Sequence, residues 1–122
     1  MARPYKDPTA DKAIGNVMAE ERKVQHRLER DIVADILAFL RDQPNIFCWK
    51  EHGDMYSTGG IPDIICCIQG RFVAFEVKTL TGKASGLQKA TIRKIQAAGG
   101  TACIVRSVYE VQDVLEVLME ES

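Results

Sequence analysis

The sequence lacks several features that would assign it to a specialised class of protein. Its four cysteines and two histidines include no Cys-x-x-Cys pair, so the closely spaced ligands typical of structural zinc are missing. No run approaches the roughly 18 to 20 apolar residues of a membrane span, and the first residues lack the apolar core of a signal peptide. We therefore expect a cytoplasmic protein that does not enter a membrane and whose cysteines are reduced core residues.

The sequence also has no excess of positive charge. Sixteen Lys and Arg residues stand against seventeen Asp and Glu residues, a net charge of -1, which excludes a uniformly basic nucleic-acid binder. Any contact with nucleic acid must therefore come from a local basic patch or from metal ions. A length of 122 residues with 46% hydrophobic content is typical of one globular domain.

The distribution of apolar residues predicts one domain after a short arm. Residues 1–19 combine prolines and charges without apolar periodicity, which predicts a flexible N-terminal arm, and residues 20–122 carry the domain. Apolar spacings of three and four indicate a long first helix, and S-x-x-Q and S-x-x-E boxes mark the starts of two later helices. The predicted elements are a helix over 20–41, a strand over 46–50, a hairpin over 59–78, a helix over 85–98, a strand over 101–106 and a final helix from 107. The fold class is thus α/β in the order αβββαβα, with a mixed central sheet flanked by helices.

The hairpin GGIPDIICCIQGRFVAFEVK carries charged residues that an apolar hairpin does not need. If Gln69 and Gly70 form a two-residue turn, antiparallel pairing places Asp63 directly opposite Glu76, with their Cβ atoms about 4.5 to 5.5 Å apart. Lys78, two residues beyond Glu76, shares that face. The alternate residues of the second arm are apolar and mark the opposite face as core, namely Val73, Phe75 and Val77.

Two carboxylates that face each other are destabilising unless a cation lies between them. Mg²⁺ is typically held by one or two carboxylates together with water and phosphate oxygens. Lys78 beside them would orient or deprotonate a water molecule, or stabilise charge growing on a phosphate. The hairpin therefore indicates metal-dependent phosphodiester hydrolysis. The alternative is a solvent-facing Glu76–Lys78 pair on an edge strand, with Pro62-Asp63 starting a turn, since each motif alone is short and common.

The residues Pro62-Asp63 and Glu76-Val77-Lys78 match the motif of the PD-(D/E)xK nuclease superfamily. The longer string GGIPDIICCIQGRFVAFEVKTLTGKASGLQKATIRKIQAAGG resembles the VRR-NUC family within it, and the similarity extends over about residues 20–118. This resemblance implies a restriction-endonuclease-like fold and a DNA endonuclease that depends on Mg²⁺ or Mn²⁺.

The resemblance also implies the identity of the site residues. The implied metal ligands are Asp63, Glu76, the Val77 carbonyl and a glutamate of the first helix. We assign this glutamate to Glu29, with Glu21 as the alternative. Lys78 would serve the attacking water, and Gln88 of the second helix would contact the site. Gln88 also completes the S-x-x-Q box that begins at Ser85, so a purely structural capping role is an equal alternative.

A local cluster of positive charge follows the hairpin. Lys83 in the loop and Lys89, Arg93 and Lys94 on the next helix form a candidate phosphate-contact surface, although an ordinary solvated helix face fits equally well. Standalone VRR-NUC proteins are similar to Holliday-junction resolvases, so the resemblance implies branched or junction DNA as the partner. Two symmetric cuts need two active sites, which predicts a homodimer formed through the first or the final helix. Two other hypotheses remain open: a catalytically silent DNA-structure-binding module, and an interaction domain whose acidic hairpin is incidental.

Overall fold

The computed structural model describes residues 27–52 and 59–121. Within them, seven elements follow one another: α1 Glu29–Arg41, β1 Ile46–Lys50, β2 Ile64–Ile68, β3 Arg71–Val77, α2 Gly86–Ala97, β4 Thr101–Val105 and α3 Val108–Glu120. The predicted α/β class and the order αβββαβα are confirmed. The predicted N-terminal arm, Glu21 and the first part of the predicted long helix lie outside the described residues.

Helix α1 begins later than the apolar periodicity predicts. Leu28 has an extended backbone, with φ -78° and ψ 150°, and stands as the N-cap, so the prediction of helix at residues 27 and 28 is wrong. Glu29 and Asp31 lie in the first turn, where carboxylates interact favourably with the positive end of the helix dipole. The apolar spacing ran through Leu28, but this side chain is 50% exposed and does not join the core.

The four strands form one mixed sheet in the order β1-β2-β3-β4. Strands β1, β2 and β3 pair antiparallel, and β4 joins β3 in parallel. The predicted register of the hairpin is confirmed, because Ile68 pairs with Arg71 and Ile64 with Phe75. Gln69 and Gly70 both have positive φ, 50° and 83°, as a type I′ turn requires.

The sheet is covered on both faces. Helices α1 and α3 pack over the face that holds Val73, Phe75 and Val77 and build the larger apolar cluster there, which confirms the predicted core face. Helix α2 covers the middle of the other face, where Ile92 packs with Ala74 and its neighbours. The buried apolar residues of α1 and α3 are therefore packed inside the protomer.

The cysteines are all free. Cys48 and Cys66 are buried opposite each other on β1 and β2, and burial raises the pKa of the Cys66 thiol to about 12. Cys67 points to the other face and is exposed, as strand alternation predicts, so the expectation that every cysteine is a core residue is wrong for Cys67. Helix α2 covers only the middle of that face, and Cys67 lies nearer the turn.

No helix in the described ranges is both long and apolar enough to cross a bilayer.

Gly60 lies where the chain enters β2 and contacts α2 closely. Its φ is +82°, and a Cβ built there would lie 2.8 Å from the Thr91 hydroxyl oxygen and 2.9 Å from the Leu87 carbonyl oxygen. A side chain would thus meet both an unfavourable backbone conformation and a steric clash. Glycine at this position lets α2 approach the sheet.

We expect Gly60→Ala to lower the free energy of unfolding by about 2 to 5 kcal/mol, the sum of left-handed strain and overpacking. Gly70→Ala is the matched control, because Gly70 has φ +83° with nothing within 4 Å of a built Cβ, and it should cost about 1 to 2 kcal/mol. Urea unfolding monitored by circular dichroism measures both. Equal losses in the two variants would show that the approach of α2 does not depend on Gly60.

Candidate active site

Glu76 is a charged residue type in the middle of the sheet. It lies near the end of β3, between β2 and β4, and only 2% of its surface is exposed. The alternative of a solvent-facing pair on an edge strand is therefore wrong. A carboxylate removed from water needs partners or a proton, and the neighbours of Glu76 define the candidate site.

Asp63 is held directly beside Glu76. It precedes β2 by one residue, directly beyond the last pair of the hairpin, Ile64 and Phe75. The backbone N–H of Val77 donates to Asp63 Oδ2 at 2.8 Å, and the N–H of Glu51 donates to the Asp63 carbonyl oxygen at 2.8 Å. These bonds fix both the backbone and the side chain of Asp63. Its carboxyl group is within hydrogen-bonding reach of the Glu76 carboxyl when one of the two is protonated.

Pro62 explains why the Val77 carbonyl is available in this site. The Val77 N–H points towards β2, and in a strand the N–H and C=O of one residue point the same way. The register continued from Ile64 and Phe75 would place Pro62 opposite Val77. Proline has no N–H to donate, so the ladder directs no donor from Pro62 to the Val77 carbonyl oxygen.

Lys78 places one positive charge between two carboxylates. Its Nζ lies 3.6 Å from Glu76 Oε2 and 3.5 Å from Glu29 Oε1, and its side chain is 12% exposed. Glu29 is the first residue of α1 and its side chain is about half exposed, so it contacts the site from the solvent side. The structure thus brings Glu29 to the site through Lys78.

The pKa of Glu76 is raised to about 8, first by burial and then by the hydrogen bond and negative charge of Asp63. Lys78 acts in the opposite direction but does not offset burial. With no cation bound, Glu76 therefore holds a proton near neutral pH. This is the electrostatic conflict that the sequence predicted from the facing carboxylates.

Gln88 performs two tasks at once. Its backbone N–H donates to Ser85 Oγ at 3.1 Å and its Oε1 accepts from the Ser85 N–H at 2.8 Å, which is a complete capping box for α2. Its Nε2 donates to Glu76 Oε2 at 3.2 Å. Capping and site contact, considered as alternatives from the sequence, are made by opposite ends of one amide, so the cap itself orients the donor towards Glu76.

The donor set is oxygen-rich but small. Asp63, Glu76 and the Val77 carbonyl supply hard oxygen ligands of the kind that Mg²⁺ and Mn²⁺ prefer. Among residues 27–52 and 59–121 there is no group of three or more His, Cys, Asp and Glu side chains arranged to hold a metal ion. Glu29 approaches the other two carboxylates only through Lys78. The residues present fit a cation held by two carboxylates and a carbonyl, with its other ligands from water or substrate.

The predicted phosphate-contact residues lie on the surface beside this site. Lys83 lies in the loop after β3, and Lys89 and Arg93 lie on α2, all three exposed. None forms an ion pair with another residue in the described part of the chain.

Two contributors were missed by the sequence analysis. The Val77 N–H donates to the Asp63 side chain, and the register did not predict this bond, because a continued ladder would direct that N–H to the Pro62 carbonyl oxygen. Arg106 follows β4, and its side chain binds carbonyl oxygens of the loop after Lys78. No sequence motif marks Arg106, because the contact spans more than twenty residues.

Comparison with solved structures supports the fold. Neither the family models nor the curated proteins that were compared match the chain. A solved structure of a "VRR_NUC domain protein" superposes with a TM-score of 0.59 at 19% identity, covering 72% of this chain and 84% of that chain. The chain thus has the fold of a VRR-NUC domain, the fold implied by the sequence resemblance.

Without divalent cations, we expect the wild type to lose stability as pH rises from 5 to 9. The folded pKa of Glu76, about 8, lies above its ordinary 4.5, so the folded state binds the additional proton. This stabilisation is complete below about pH 4.5 and is lost as pH rises through 8. Urea unfolding in EDTA measures it, as the difference between the wild type and Glu76→Gln at each pH.

The exposed glutamate Glu116 on α3 supplies a control, because Glu116→Gln should follow the wild-type pH profile. If Glu76→Gln also ran parallel to the wild type from pH 5 to 9, the carboxyl of Glu76 would not be the group that retains a proton in the folded state.

Proposed function

We propose that this protein is a DNA endonuclease of the VRR-NUC type, which hydrolyses phosphodiester bonds with the help of Mg²⁺ or Mn²⁺. The observation that carries the proposal is Glu76, buried in the central strand with Asp63 beside it and Lys78 against it. A purely structural role does not account for two adjacent carboxyls at a cost in desolvation. The VRR-NUC fold supports the same activity class.

The proposed metal ligands are Asp63, Glu76, the Val77 carbonyl and, from α1, Glu29. These residues would hold a divalent cation, which would supply Lewis-acid polarisation of the phosphate and offset developing negative charge. The protein supplies the arrangement of its own groups. The Val77 N–H donates to Asp63 Oδ2 and so fixes the orientation of that carboxyl group.

Lys78 is the residue best placed to serve the attacking water. Its ammonium group is mostly buried and already lies against Glu76 and Glu29, so its position is set before substrate binds. A positioned ammonium orients the nucleophile or stabilises charge on the phosphate. Gln88, anchored by its capping box, keeps the Glu76 carboxylate in one orientation.

The proposed substrate is branched DNA, such as a four-way junction, and the proposed active form is a homodimer. Both rest on the similarity to junction resolvases, since a pair of symmetric cuts requires two active sites. The second candidate function is a catalytically silent module that binds branched DNA. The exposed charges of Lys83, Lys89 and Arg93 would serve either function.

We expect the wild type to cleave labelled four-way junctions in Mg²⁺ or Mn²⁺ faster than flaps or plain duplex. A dimer should give paired symmetric cuts. Lys78→Ala should lower the rate at least about a hundredfold, the contribution typical of a positioned acid–base group, and Asp63→Asn should abolish metal-dependent cleavage. Gel-based rates at saturating enzyme measure both.

Arg41→Ala and Asp113→Asn are charge-matched controls at exposed helix positions and should cleave at the wild-type rate. Equal cleavage by wild type, Asp63→Asn and Lys78→Ala would assign the activity to a contaminant. Tight junction binding without cleavage would favour the silent module, and no binding with no metal-induced change in melting temperature would favour an interaction domain. Single nicks would speak against the dimer.

The basic residues generate a separate prediction about affinity. Each charge that neutralises a DNA phosphate contributes roughly one to the slope of log affinity against log salt. Lys83→Ala, Lys89→Ala and Arg93→Ala should therefore each weaken junction binding and reduce the slope by about one. Fluorescence anisotropy between 50 and 200 mM salt measures this, with Arg41→Ala at the C-terminal end of α1 as the control. Unchanged slopes in all three variants would show that these residues do not contact DNA phosphates and form an ordinary solvated surface.

A further inference from the structure

Arg106 makes an unusual set of contacts for an arginine close to an acidic site. It directly follows β4, and its Nη1 donates to the carbonyl oxygens of Thr79 and Gly82, the second at 2.7 Å, with the Leu80 carbonyl oxygen 3.5 Å away. Within the described residues its guanidinium forms no ion pair with a carboxylate. The guanidinium of Arg106 thus lies within hydrogen-bonding distance of three carbonyl oxygens of one short loop.

The loop that Arg106 contacts, residues 79–82, forms a tight turn. The Gly82 N–H donates to the Thr79 carbonyl oxygen at 3.2 Å and to the Thr79 hydroxyl at 3.1 Å. A Cβ on Gly82 would lie 2.9 Å from that hydroxyl and 3.7 Å from Lys78 Cβ, so the turn folds back against Lys78. The Lys78 N–H donates to the Val105 carbonyl oxygen at 3.0 Å, which ties the start of the loop to the strand that carries Arg106.

This loop joins two parts of the site. It begins one residue after Lys78 and leads to Ser85, the cap that holds Gln88. The positions of Lys78 and of the Gln88 amide on Glu76 therefore depend on the path of one short segment. Carbonyl oxygens that converge repel one another unless a donor lies among them, and the only side-chain cation in the described part of the chain that binds them is Arg106.

We propose that Arg106 is a positioning residue for the nuclease site: by clamping the loop after β3, it sets the distance between Lys78 and Gln88. The expected change in kcat rests on the proposed function, whereas the expected change in the position of Gln88 does not. Arg106 contacts no substrate in this proposal and acts through the loop. Its loss should therefore lower kcat and leave KM for junction DNA nearly unchanged.

Arg106→Gln should lower kcat about ten- to a hundredfold, the effect of misplacing reacting groups by about an ångström, with KM within about twofold of the wild type. Arg106→Lys should recover part of kcat, because an ammonium group donates to two carbonyls but not in the planar arrangement of a guanidinium. Arg71→Gln is the matched control. Arg71 also donates to a backbone carbonyl, that of Leu118 at 2.7 Å, but at the turn end of the hairpin.

A second measurement tests the role of Arg106 without requiring DNA cleavage. The side-chain amide signal of Gln88, assigned by its loss in Gln88→Leu, should shift or broaden in ¹⁵N spectra of Arg106→Gln and stay in place in Arg71→Gln. If the wild type cleaves no DNA, the proposed function fails while this shift still supports the clamp. An unshifted Gln88 signal, or a kcat in Arg106→Gln equal to that of Arg71→Gln, would overturn it. Should Arg106→Gln not fold, the same comparisons apply to Arg106→Lys.

Discussion

The burial of Glu76 is the constraint on which the rest of the site depends. A carboxyl group in the central strand of a sheet covered on both faces loses its hydration, and the neighbouring Asp63 adds negative charge instead of relieving it. Two side chains compensate for this at Glu76 Oε2: the ammonium group of Lys78 lies against it, and the amide of Gln88 donates a hydrogen bond to it. The result is a group whose protonation state responds to any further positive charge.

Helix α2 fixes the position of Gln88 relative to Glu76. It reaches the sheet because Gly60 leaves room for its first turns, and its capping box holds Gln88 in the orientation that reaches Glu76. The loop that precedes it is bound by Arg106 from the parallel strand β4. Each device is modest in energy by itself, since a neutral hydrogen bond contributes about 1 kcal/mol. Together they hold the groups around one buried carboxyl in fixed positions.

The sequence predicted secondary structure well where apolar residues alternate or capping residues are present. It predicted poorly which side chains the packed helices bury. The strands and the last two helices follow from alternation and capping residues that act within a few positions. The start of α1 was missed because the apolar spacing continues through Leu28, although the backbone there is extended. The exposure of Cys67 was missed because strand alternation identifies the face of a side chain but not how far a helix extends over that face.

The opposition of Asp63 and Glu76 was determined by the sequence itself, because a two-residue turn leaves only one register and the pairing follows by counting. The same holds for Lys78 on their face and for the role of Pro62, which follows from proline's missing N–H. Only the tertiary structure decided that β3 is central and Glu76 buried, that Glu29 of α1 contacts Lys78, and that Arg106 after β4 binds the loop after β3. Those contacts join segments far apart in the chain, and their geometry is set by how helices pack on the sheet, which no local pattern of residues encodes.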